Sequence, residues 1–473
     1  MLFNSMHFAV FFVAVTAAFF AIPVKLRPLL LLGASYYFYM SWEPGYAVLI
    51  IFTTLVCYAC ARGLERATAQ TVRKVLLAVG VSCGLGVLFV FKYFNFVGQA
   101  LRDALGLVHV QVDWPLLEVL LPVGISFYTF QGIGYMVDVY RRNIPAERSL
   151  QRFALFKVFY PQLVAGPIER AGNLLPQMAL DKPWDTGRVW SGLQLMLWGL
   201  FKKVVIADRA AIYVDAIYND VAGHSGPTYL LATYLFAFQI YCDFSGYSDI
   251  AIGSARVLGV DLMQNFRRPY FATTIPDFWR RWHISLSTWL RDYLYIPLGG
   301  NRQGVSRMYL SLMITMFLGG IWHGANWTFL IWGLLQGVML CASKATLPAR
   351  DALVARLGLP WHVVQAWRMV VTFHLVCLSW VFFRANTAGD AFYILTHLFD
   401  GWPRLFFDGM VIWHVLPAIL LLLIVQVLQS RGSVANRLRA LPAPARLGVY
   451  VTAVFSIVLF GADFGSQFIY FQF

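Results

Sequence analysis

Charged side chains are scarce in this sequence. Asp, Glu, Lys and Arg make up 13% of its 473 residues and hydrophobic types make up 59%, whereas about 25% of a soluble domain is charged. This shortage excludes an ordinary soluble domain. Together with the many apolar runs, it predicts an all-α polytopic membrane protein.

Acidic residues are fewer than basic residues, with 23 Asp and Glu against 37 Lys and Arg and a net charge of +14. In a soluble chain that excess would suggest nucleic acid as a partner. Here the basic residues fall in short loops between apolar runs, and retention of those loops on the cytoplasmic face explains them more simply. We therefore expect contact with membrane lipids and no nucleic-acid partner.

The sequence has only six cysteines, all in or beside apolar segments, so we expect buried free thiols and no disulfide framework. The first apolar segment lacks a preceding basic residue and a convincing cleavage site, which indicates a retained span and not a signal peptide. Fixed-period repeats and low-complexity linkers are also lacking. We therefore expect one integral-membrane domain over residues 1–473.

The apolar runs predict about ten to twelve transmembrane helices, because one span needs ~20 residues and the longer runs must fold into hairpins. Basic residues flank the 28–61 run on both sides, which places both of its ends in the cytoplasm and the N-terminus in the periplasm. The runs lie at roughly residues 7–24, 28–61, 75–97, 116–140, 189–206, 229–253, 308–343, 364–383, 411–429 and 447–462.

The middle of the chain differs from these simple spans. Residues 141–227 and 254–307 mix apolar runs with arginines and prolines, which predicts re-entrant or surface helices. Residues 277–294 form a predicted amphipathic, interfacial helix, with Arg280 and Arg281 on its polar face and tryptophans on the other. His283 falls at the edge of the buried face, from which its side chain can point inward.

The run from residue 308 to 343 carries no formal charge, and His323 is the one residue in it that titrates near neutral pH. Its length suits two helices that turn back, with a break among Gly319, Gly320 and Gly324. An ionisable side chain at membrane depth is costly, so His323 is a functional-site candidate. The alternative is a core histidine satisfied by a backbone carbonyl that the glycine-rich break leaves available.

Two polar clusters accompany the histidines. One contains Asp243, Ser245 and Asp249 at the end of an apolar run, and the other contains Gln162 in a segment broken by glycine and proline. Catalytic or substrate-binding roles are one interpretation. The alternatives are helix capping or a structural ion pair for the carboxylates, and a re-entrant turn for the Gln162 segment.

Short motifs follow one another in order along nearly the whole chain. They lie at residues 34–39, 121–131, 137–141, 159–168, 241–249, 277–283, 298–302, 322–324 and 380–384. Together these stretches resemble the membrane-bound O-acyltransferase (MBOAT) superfamily, and more narrowly its bacterial branch of alginate O-acetylation proteins. The resemblance implies a ring of tilted helices around a thin central wall with a tunnel. It also implies that His323 is the catalytic histidine and His283 a second active-site residue.

The chemistry of acyl transfer agrees with that implication. Transfer from a thioester to a hydroxyl needs a base for the alcohol, and desolvation keeps a histidine neutral at working pH. His323 can take the hydroxyl proton, while His283 or Asn326 orients the donor carbonyl or stabilises the oxyanion. Trp322 is a further candidate for substrate binding.

Arg280, Arg281 and Arg302 are candidates to hold donor phosphates on the cytoplasmic face. Their alternative role is anchoring to lipid headgroups and retention of the loops inside the cell. We expect acetyl-CoA as the acetyl donor, with no permanently bound cofactor and no metal.

These observations predict a bacterial inner-membrane O-acetyltransferase for an exopolysaccharide such as alginate or cellulose, both biofilm polymers. The resemblance implies that the acceptor is either a sugar hydroxyl or a serine of a periplasmic partner acetyltransferase, within a polysaccharide synthesis and secretion complex. One alternative is a non-catalytic transporter or channel, although inverted repeats are not evident. Another is a peptidoglycan or teichoic-acid acyltransferase of the same superfamily. A metal or haem protein using both histidines lacks the expected ligand spacing.

Overall fold

The computed structural model describes residues 1–111, 113–164, 166–401, 405–406, 408–462 and 468–469. Within those ranges every regular element is helical, as the composition predicts. The α-helices are α1 Met6–Ala21, α2 Arg27–Met40, α3 Ala47–Arg66, α4 Gln70–Leu88, α5 Phe94–Gly106, α6 Ile125–Tyr140, α7 Leu150–Val158, α8 Tyr160–Leu163, α9 Ala171–Leu174, α10 Thr186–Leu200, α11 Asp208–Tyr218, α12 Gly226–Val257, α13 Ile275–Trp279, α14 Ile284–Leu290, α15 Val305–His323, α16 Trp327–Ala345, α17 Leu347–Leu357, α18 Trp361–Arg384, α19 Ala388–Thr396, α20 Leu416–Ser430, α21 Val434–Ala440 and α22 Ala443–Phe460.

Short segments of other helical types join several of these helices. The π-helical segments are Phe89–Tyr93, Phe201–Ala207, Arg291–Tyr295 and Val411–Val415. The 3-10 turns are Val24–Leu26, Pro44–Tyr46, Leu175–Ala179, Val221–Gly223 and Pro269–Phe271. A π-helical turn inside a longer helix is rare and is often associated with a functional site.

The chain forms two compact units. The first unit contains residues 1–193 and 251–263, and the second contains residues 194–250 and 264–472. Helices α10 and α12 each contribute residues to both units. The expectation of one integral domain stays a prediction.

Eight described helical stretches are long and apolar enough to cross a membrane, fewer than the ten to twelve expected. The 116–140 run accounts for part of the difference, because its helix begins only at Ile125, after Pro122 and a left-handed Gly124 with φ 74°. The eight stretches are Pro44–Arg66, Gln70–Gly106, Thr186–Tyr218, Val305–His323, Trp327–Ala345, Trp361–Arg384, Trp413–Ser430 and Ala443–Phe460.

The 308–343 run folds as predicted into two helices that turn back, α15 and α16, in the second unit. Their backbones approach closely at Gly320 and Gly333. A Cβ atom on Gly320 would lie 2.9 Å from the Gly333 Cα atom and would also clash with the Phe329 carbonyl oxygen. Glycine is required where two helix backbones pack this tightly. The pair therefore fixes the end of α15, where His323 lies.

The predicted continuous helix over residues 277–294 is wrong. The structure has two short helices, α13 and α14, separated by a turn in which His283 adopts a left-handed conformation with φ 42°. The turn allows the side chains of Trp282 and His283, adjacent in sequence, both to be buried. One regular helix would point neighbouring side chains about 100° apart. The first turn of α13 is capped, since Thr274 Oγ1 accepts a hydrogen bond from the Asp277 backbone N–H at 3.1 Å.

Candidate active site

His323 ends α15, and its side chain is buried within a cluster of aromatic rings. The ring centroids of Trp322 and Trp332 each lie 5.0 Å from that of His323, and the centroid of Phe383 lies 5.3 Å away. All three rings meet the imidazole edge-on. Such packing fixes the orientation of the imidazole and excludes bulk water from it.

His283 is fully buried in the same unit, at the start of α14. Its ring packs edge-on against Phe244 of α12, with centroids 4.6 Å apart. Burial lowers the pKa of His283 to about 3. The imidazole is therefore neutral at physiological pH, since desolvation disfavours its charged form.

Trp322 connects the two histidines. Its ring centroid lies 5.9 Å from that of His283 and 5.0 Å from that of His323. The two imidazoles are therefore no farther apart than the sum of these two distances. The structure brings together three residues that the sequence singles out, and places them in one buried site.

A buried chain of hydrogen bonds lies beside the His323 cluster, since one of its members, Trp279, packs against Trp332 with ring centroids 5.9 Å apart. Gln336 of α16 donates a hydrogen bond to Ser379 Oγ of α18 at 2.8 Å and accepts one from Trp279 Nε1 at 3.2 Å. Gln336 is fully buried, so these bonds satisfy a group that would otherwise be costly. Gln336 is not among the residues predicted from the sequence, although its signal is visible there as an amide in the uncharged 308–343 run.

A second polar chain holds the backbone around His283. The Ile284 backbone N–H donates to the Asn265 carbonyl oxygen at 2.9 Å, and Ser285 Oγ donates to Asn265 Oδ1 at 2.6 Å. Asn265 Nδ2 in turn donates to Ser248 Oγ of α12 at 3.1 Å. This chain links the left-handed turn to a long helix. Asn265 was not predicted, since its loop carries no recognisable motif.

Asp243 forms a buried ion pair. Its Oδ1 atom lies 2.6 Å from Lys203 Nζ, which also lies 2.8 Å from an Asp208 carboxylate oxygen. Asp243 Oδ2 accepts the backbone N–H of Ile469 at 2.7 Å. The arrangement is the structural ion pair that was one alternative for this carboxylate, with Lys203 as the partner.

Ser245 and Asp249 bind the neighbouring lysine. Lys202 Nζ donates to Ser245 Oγ at 2.9 Å and to Asp249 Oδ2 at 2.7 Å. Close packing of α10 on α12 allows these bonds, because a Cβ on Gly199 would lie 2.6 Å from the Gly246 carbonyl oxygen. Both lysines belong to the π-helical segment Phe201–Ala207. Their signal in the sequence is a charged pair inside an apolar run.

Asn326 lies at the N-terminus of α16. Its Oδ1 atom accepts the Thr328 backbone N–H at 3.1 Å, and its Nδ2 atom donates to the Asn386 carbonyl oxygen at 3.3 Å. The oxygen of the side chain therefore caps α16, and the amide nitrogen links this helix end to the loop between α18 and α19. Its part in oxyanion stabilisation stays a prediction.

The predicted arginines lie at more exposed positions of the second unit. Arg280 and Arg302 are exposed, whereas Arg281 is partly buried and pairs with Asp277 at 2.9 Å. A pair of this kind contributes little to stability, about 0–1 kcal/mol. The two exposed guanidinium groups are accessible to an anion, and their role in donor binding stays a prediction.

Gln162 belongs to the first unit, in the short helix α8. Its Oε1 atom accepts a hydrogen bond from Gln131 Nε2 at 3.1 Å, and Gln131 also donates to the Phe156 carbonyl oxygen at 3.0 Å. Gln162 is buried. These bonds give it a structural function within that unit, and its part in substrate binding stays a prediction.

The fold and the site define a class: a multi-pass, all-α membrane protein with two buried histidines joined by a tryptophan. Comparison with known proteins identifies the family, since the profile of the membrane-bound O-acyltransferase family matches residues 142–382, a range that includes both histidines. The chain belongs to this family and is an acyltransferase.

Curated relatives include several bacterial acyltransferases. "Probable alginate O-acetylase AlgI" of Azotobacter vinelandii is 40% identical over 383 residues, which cover 80% of this chain and 74% of the relative. The protein of the same name from Pseudomonas putida is 41% identical, covering 76% of this chain and 72% of the relative. "Peptidoglycan O-acetyltransferase" of Helicobacter pylori is 34% identical, covering 76% of this chain and 72% of the relative.

Proposed function

We propose that this protein is an inner-membrane O-acetyltransferase that moves acetyl from a cytosolic thioester across the membrane for O-acetylation of an exopolysaccharide. The observation that carries the proposal is the buried contact of His283 and His323 with one ring, that of Trp322. The relatives named alginate O-acetylase, one of them 40% identical, support an exopolysaccharide as the final acceptor.

In the proposed reaction, a ring nitrogen of His323 takes the proton of the acceptor hydroxyl as the hydroxyl oxygen attacks the thioester carbonyl carbon. The carbon–sulfur bond breaks, the ester forms, and the departing thiolate receives the proton from the imidazole. General base catalysis of this kind contributes about a hundredfold to ten-thousandfold in rate. The aromatic rings around His323 keep the imidazole out of bulk water.

His283 has a different part in this proposal. A group with a pKa of about 3 is a weak base at neutral pH. A neutral imidazole can instead donate a hydrogen bond to the thioester carbonyl oxygen and stabilise the charge that develops on it. His283 therefore orients and polarises the donor carbonyl while His323 handles the proton.

The donor in this proposal is acetyl-CoA, reaching the site from the cytoplasm. Exposed Arg280 and Arg302 offer guanidinium groups to its phosphates. The same arginines also suit lipid headgroups, since anionic lipids attract basic residues near the membrane surface. The acceptor approaches from the periplasm, either as a sugar hydroxyl or as a serine of a partner acetyltransferase in the polysaccharide secretion complex.

Peptidoglycan or teichoic acid is the second candidate acceptor. "Peptidoglycan O-acetyltransferase" of Helicobacter pylori is 34% identical to this chain, and "Teichoic acid D-alanyltransferase" of Bacillus subtilis is 25% identical. Both values are lower than the 40% identity of the Azotobacter vinelandii relative. An exopolysaccharide is therefore the preferred acceptor.

The main experiment compares histidine variants in cells that make the O-acetylated polymer. His323→Gln should reduce polymer acetylation at least about a hundredfold, because a general base is lost. His283→Gln should also reduce it, and His374→Gln is the matched control. His374 is an exposed histidine of α18 whose ring binds the Val370 carbonyl oxygen at 2.7 Å.

Protein amount in the membrane is measured in parallel with acetyl content. Full acetylation by a well-expressed His323→Gln protein would contradict the catalytic assignment. Activity and protein amount that fall together would favour a structural histidine. If acetylation depends on His323 but only a cell-wall polymer is modified, the exopolysaccharide is excluded as the acceptor.

A second experiment tests access from both faces. Ala325 lies two positions beyond His323 and is partly exposed, so Ala325→Cys can be placed in a background that lacks the native cysteines. A membrane-impermeant thiol reagent should label it in both right-side-out and inverted vesicles, and a short acetyl-CoA analogue should protect it from the cytoplasmic face. Ala352→Cys on the exposed α17 is the control for one-sided labelling. Labelling of Ala325→Cys from one face only would exclude transfer through the membrane.

A further inference from the structure

A cavity of about 700 Å³ lies in the second unit, away from the residues that surround His323. Its walls are α16, α17 and α18, with the segment before α13 at one side. Most of the lining is aliphatic, including Val338, Leu353 and Val371, and Trp367 contributes a large ring. A cavity of this size and composition is typical of a site for an apolar small molecule.

The lining of the cavity follows α18 from Val363 to Leu375. At ~1.5 Å per residue, this stretch of helix spans about 18 Å. One leaflet occupies half of the ~30 Å hydrocarbon core, or about 15 Å. The groove is therefore long enough to hold one acyl chain of a membrane lipid.

The groove carries positive charge. Arg350 and Arg368 line it, and no carboxylate is among the lining residues. Arg368 is neutralised by Asp351 of α17, whose carboxylate lies 2.6 Å from the guanidinium. Arg350 has no such ion pair in the part of the chain that the structure describes, so the groove retains one net positive charge.

The Arg350 side chain is held in place by one of its N–H groups, while another has no acceptor. Its Nη2 atom donates to the Ser343 carbonyl oxygen at 2.7 Å, which fixes the guanidinium beside the end of α16. Its Nε atom is buried and has no hydrogen-bond partner among the described residues. A buried N–H without an acceptor carries a free-energy cost, because the group has lost its hydrogen bonds to water. An anionic oxygen bound there would remove that cost.

The surroundings of the groove match a membrane interface. Helix α17 exposes Leu353 and Leu357 together with Arg356, the pattern of a helix that lies at the lipid surface. Trp361 and Trp367 are exposed on α18, and tryptophan is enriched where the hydrocarbon meets the headgroups. Arg350 belongs to this interfacial helix, and the aliphatic lining continues along α18, which is a candidate membrane span.

We propose that this groove binds an anionic glycerophospholipid, with the phosphate at Arg350 and one acyl chain along α18. Charge complementarity selects the headgroup, because the lining offers a guanidinium and no carboxylate. The length of the groove selects a chain over a free phosphate. The site is separate from the proposed acetyl transfer and does not depend on it.

The test measures lipid binding to the full-length protein purified in detergent, by native mass spectrometry and by the shift in thermal unfolding temperature. Phosphatidylglycerol is the probe, and phosphatidylcholine of the same chain length is the charge control. Arg350→Gln keeps a hydrogen-bond donor but removes the charge, and should weaken phosphatidylglycerol binding about tenfold. Arg356→Gln is the matched control, since this basic residue of α17 does not line the groove.

A second variant tests the apolar part of the groove. Ala342 lines it, so Ala342→Phe should fill the space and abolish binding without any change in charge. Ala352→Phe on exposed α17 is its control. Phosphatidylglycerol binding that survives both Arg350→Gln and Ala342→Phe overturns the proposal. Equal binding of the two lipids overturns it as well, and so does binding of palmitoyl-CoA without binding of phosphatidylglycerol.

Discussion

The ring of Trp322 packs against the ring of His283 with their centroids 5.9 Å apart, although the two residues belong to different helical segments of the second unit. The same indole lies 5.0 Å from His323. Trp322 thus packs against both imidazoles. The relative placement of the two imidazoles therefore depends on this tryptophan.

Trp322→Ala is expected to reduce both acetylation and stability. Loss of the packing of a buried tryptophan lowers the free energy of unfolding by about 3–5 kcal/mol. Both imidazoles also lose the ring that packs against them. Trp322→Phe keeps an aromatic ring and should retain most of the stability. Acetyl transfer rate and thermal unfolding temperature are measured together, with the exposed Trp361→Ala as control. Wild-type activity in a stable Trp322→Ala protein would show that the indole does not position the histidines.

Lys203→Met is expected to destabilise the protein strongly. It leaves the buried carboxylates of Asp208 and Asp243 without their shared cation, and loss of one partner of a buried ion pair costs about 3–5 kcal/mol. The triple variant Lys203→Met, Asp208→Asn, Asp243→Asn should recover part of the loss. Arg62→Met, which breaks a partly exposed pair with Glu65, is the control and should change stability by about 0–1 kcal/mol.

His283 is expected to make the protein sensitive to acid. Its pKa is about 3 in the folded state against an ordinary value of 6.5, so the unfolded state binds the proton first as pH falls. Stability should therefore decrease as the pH falls from about 6.5 towards about 3. His283→Gln should show a shallower decrease in unfolding temperature over this range. An unchanged slope would mean that water reaches the imidazole.

Glu169 offers a comparison of opposite sign, since burial raises its pKa from 4.5 to about 7. The folded state holds this proton more tightly than the unfolded state does. Its contribution to stability is present below about pH 4.5 and is lost as the pH rises through about 7. Glu169→Gln should remove that loss. The measurement is the unfolding temperature as a function of pH, as for His283→Gln.

Gly320→Ala is expected to lower the unfolding temperature, because the new Cβ would lie 2.9 Å from the Gly333 Cα atom and would meet the Phe329 carbonyl oxygen. Alanine is otherwise the better helix former by about 1 kcal/mol. Gly86→Ala in α4 is the matched control, since a Cβ there has open space, and it should be neutral or stabilising. Equal effects at the two positions would argue against close packing of α15 on α16.

The sequence predicts much of the second unit where the signal is local. The charge-free 308–343 run and His323 are visible as composition and spacing, and the structure has the two helices as expected. The turn between them begins only at Gly324, because Gly319 and Gly320 lie within α15. The all-α class follows from the same kind of pattern. Local patterns of this type predict helices correctly because a helix depends mainly on residues that are close in the chain.

Features that depend on distant partners could not be predicted in this way. The left-handed turn at His283 has no signature in the neighbouring sequence. It is stabilised by the burial of Trp282 and of the imidazole against other helices. The sequence around Asp243 does not indicate which residue pairs with its carboxylate, because the partner, Lys203, belongs to another helical segment. Gly124 breaks the 116–140 run, which hydropathy alone treats as one span.

The π-helical segment Phe201–Ala207 has a consequence for comparing this chain with its relatives. A π turn accommodates a residue that an α-helix would not, so an α-helical relative would require a one-residue alignment gap within this apolar helix. Without that gap, every position beyond it would be rotated by about 100°. Asp208 and the rest of α11 would then be matched to residues on the wrong faces of the helix.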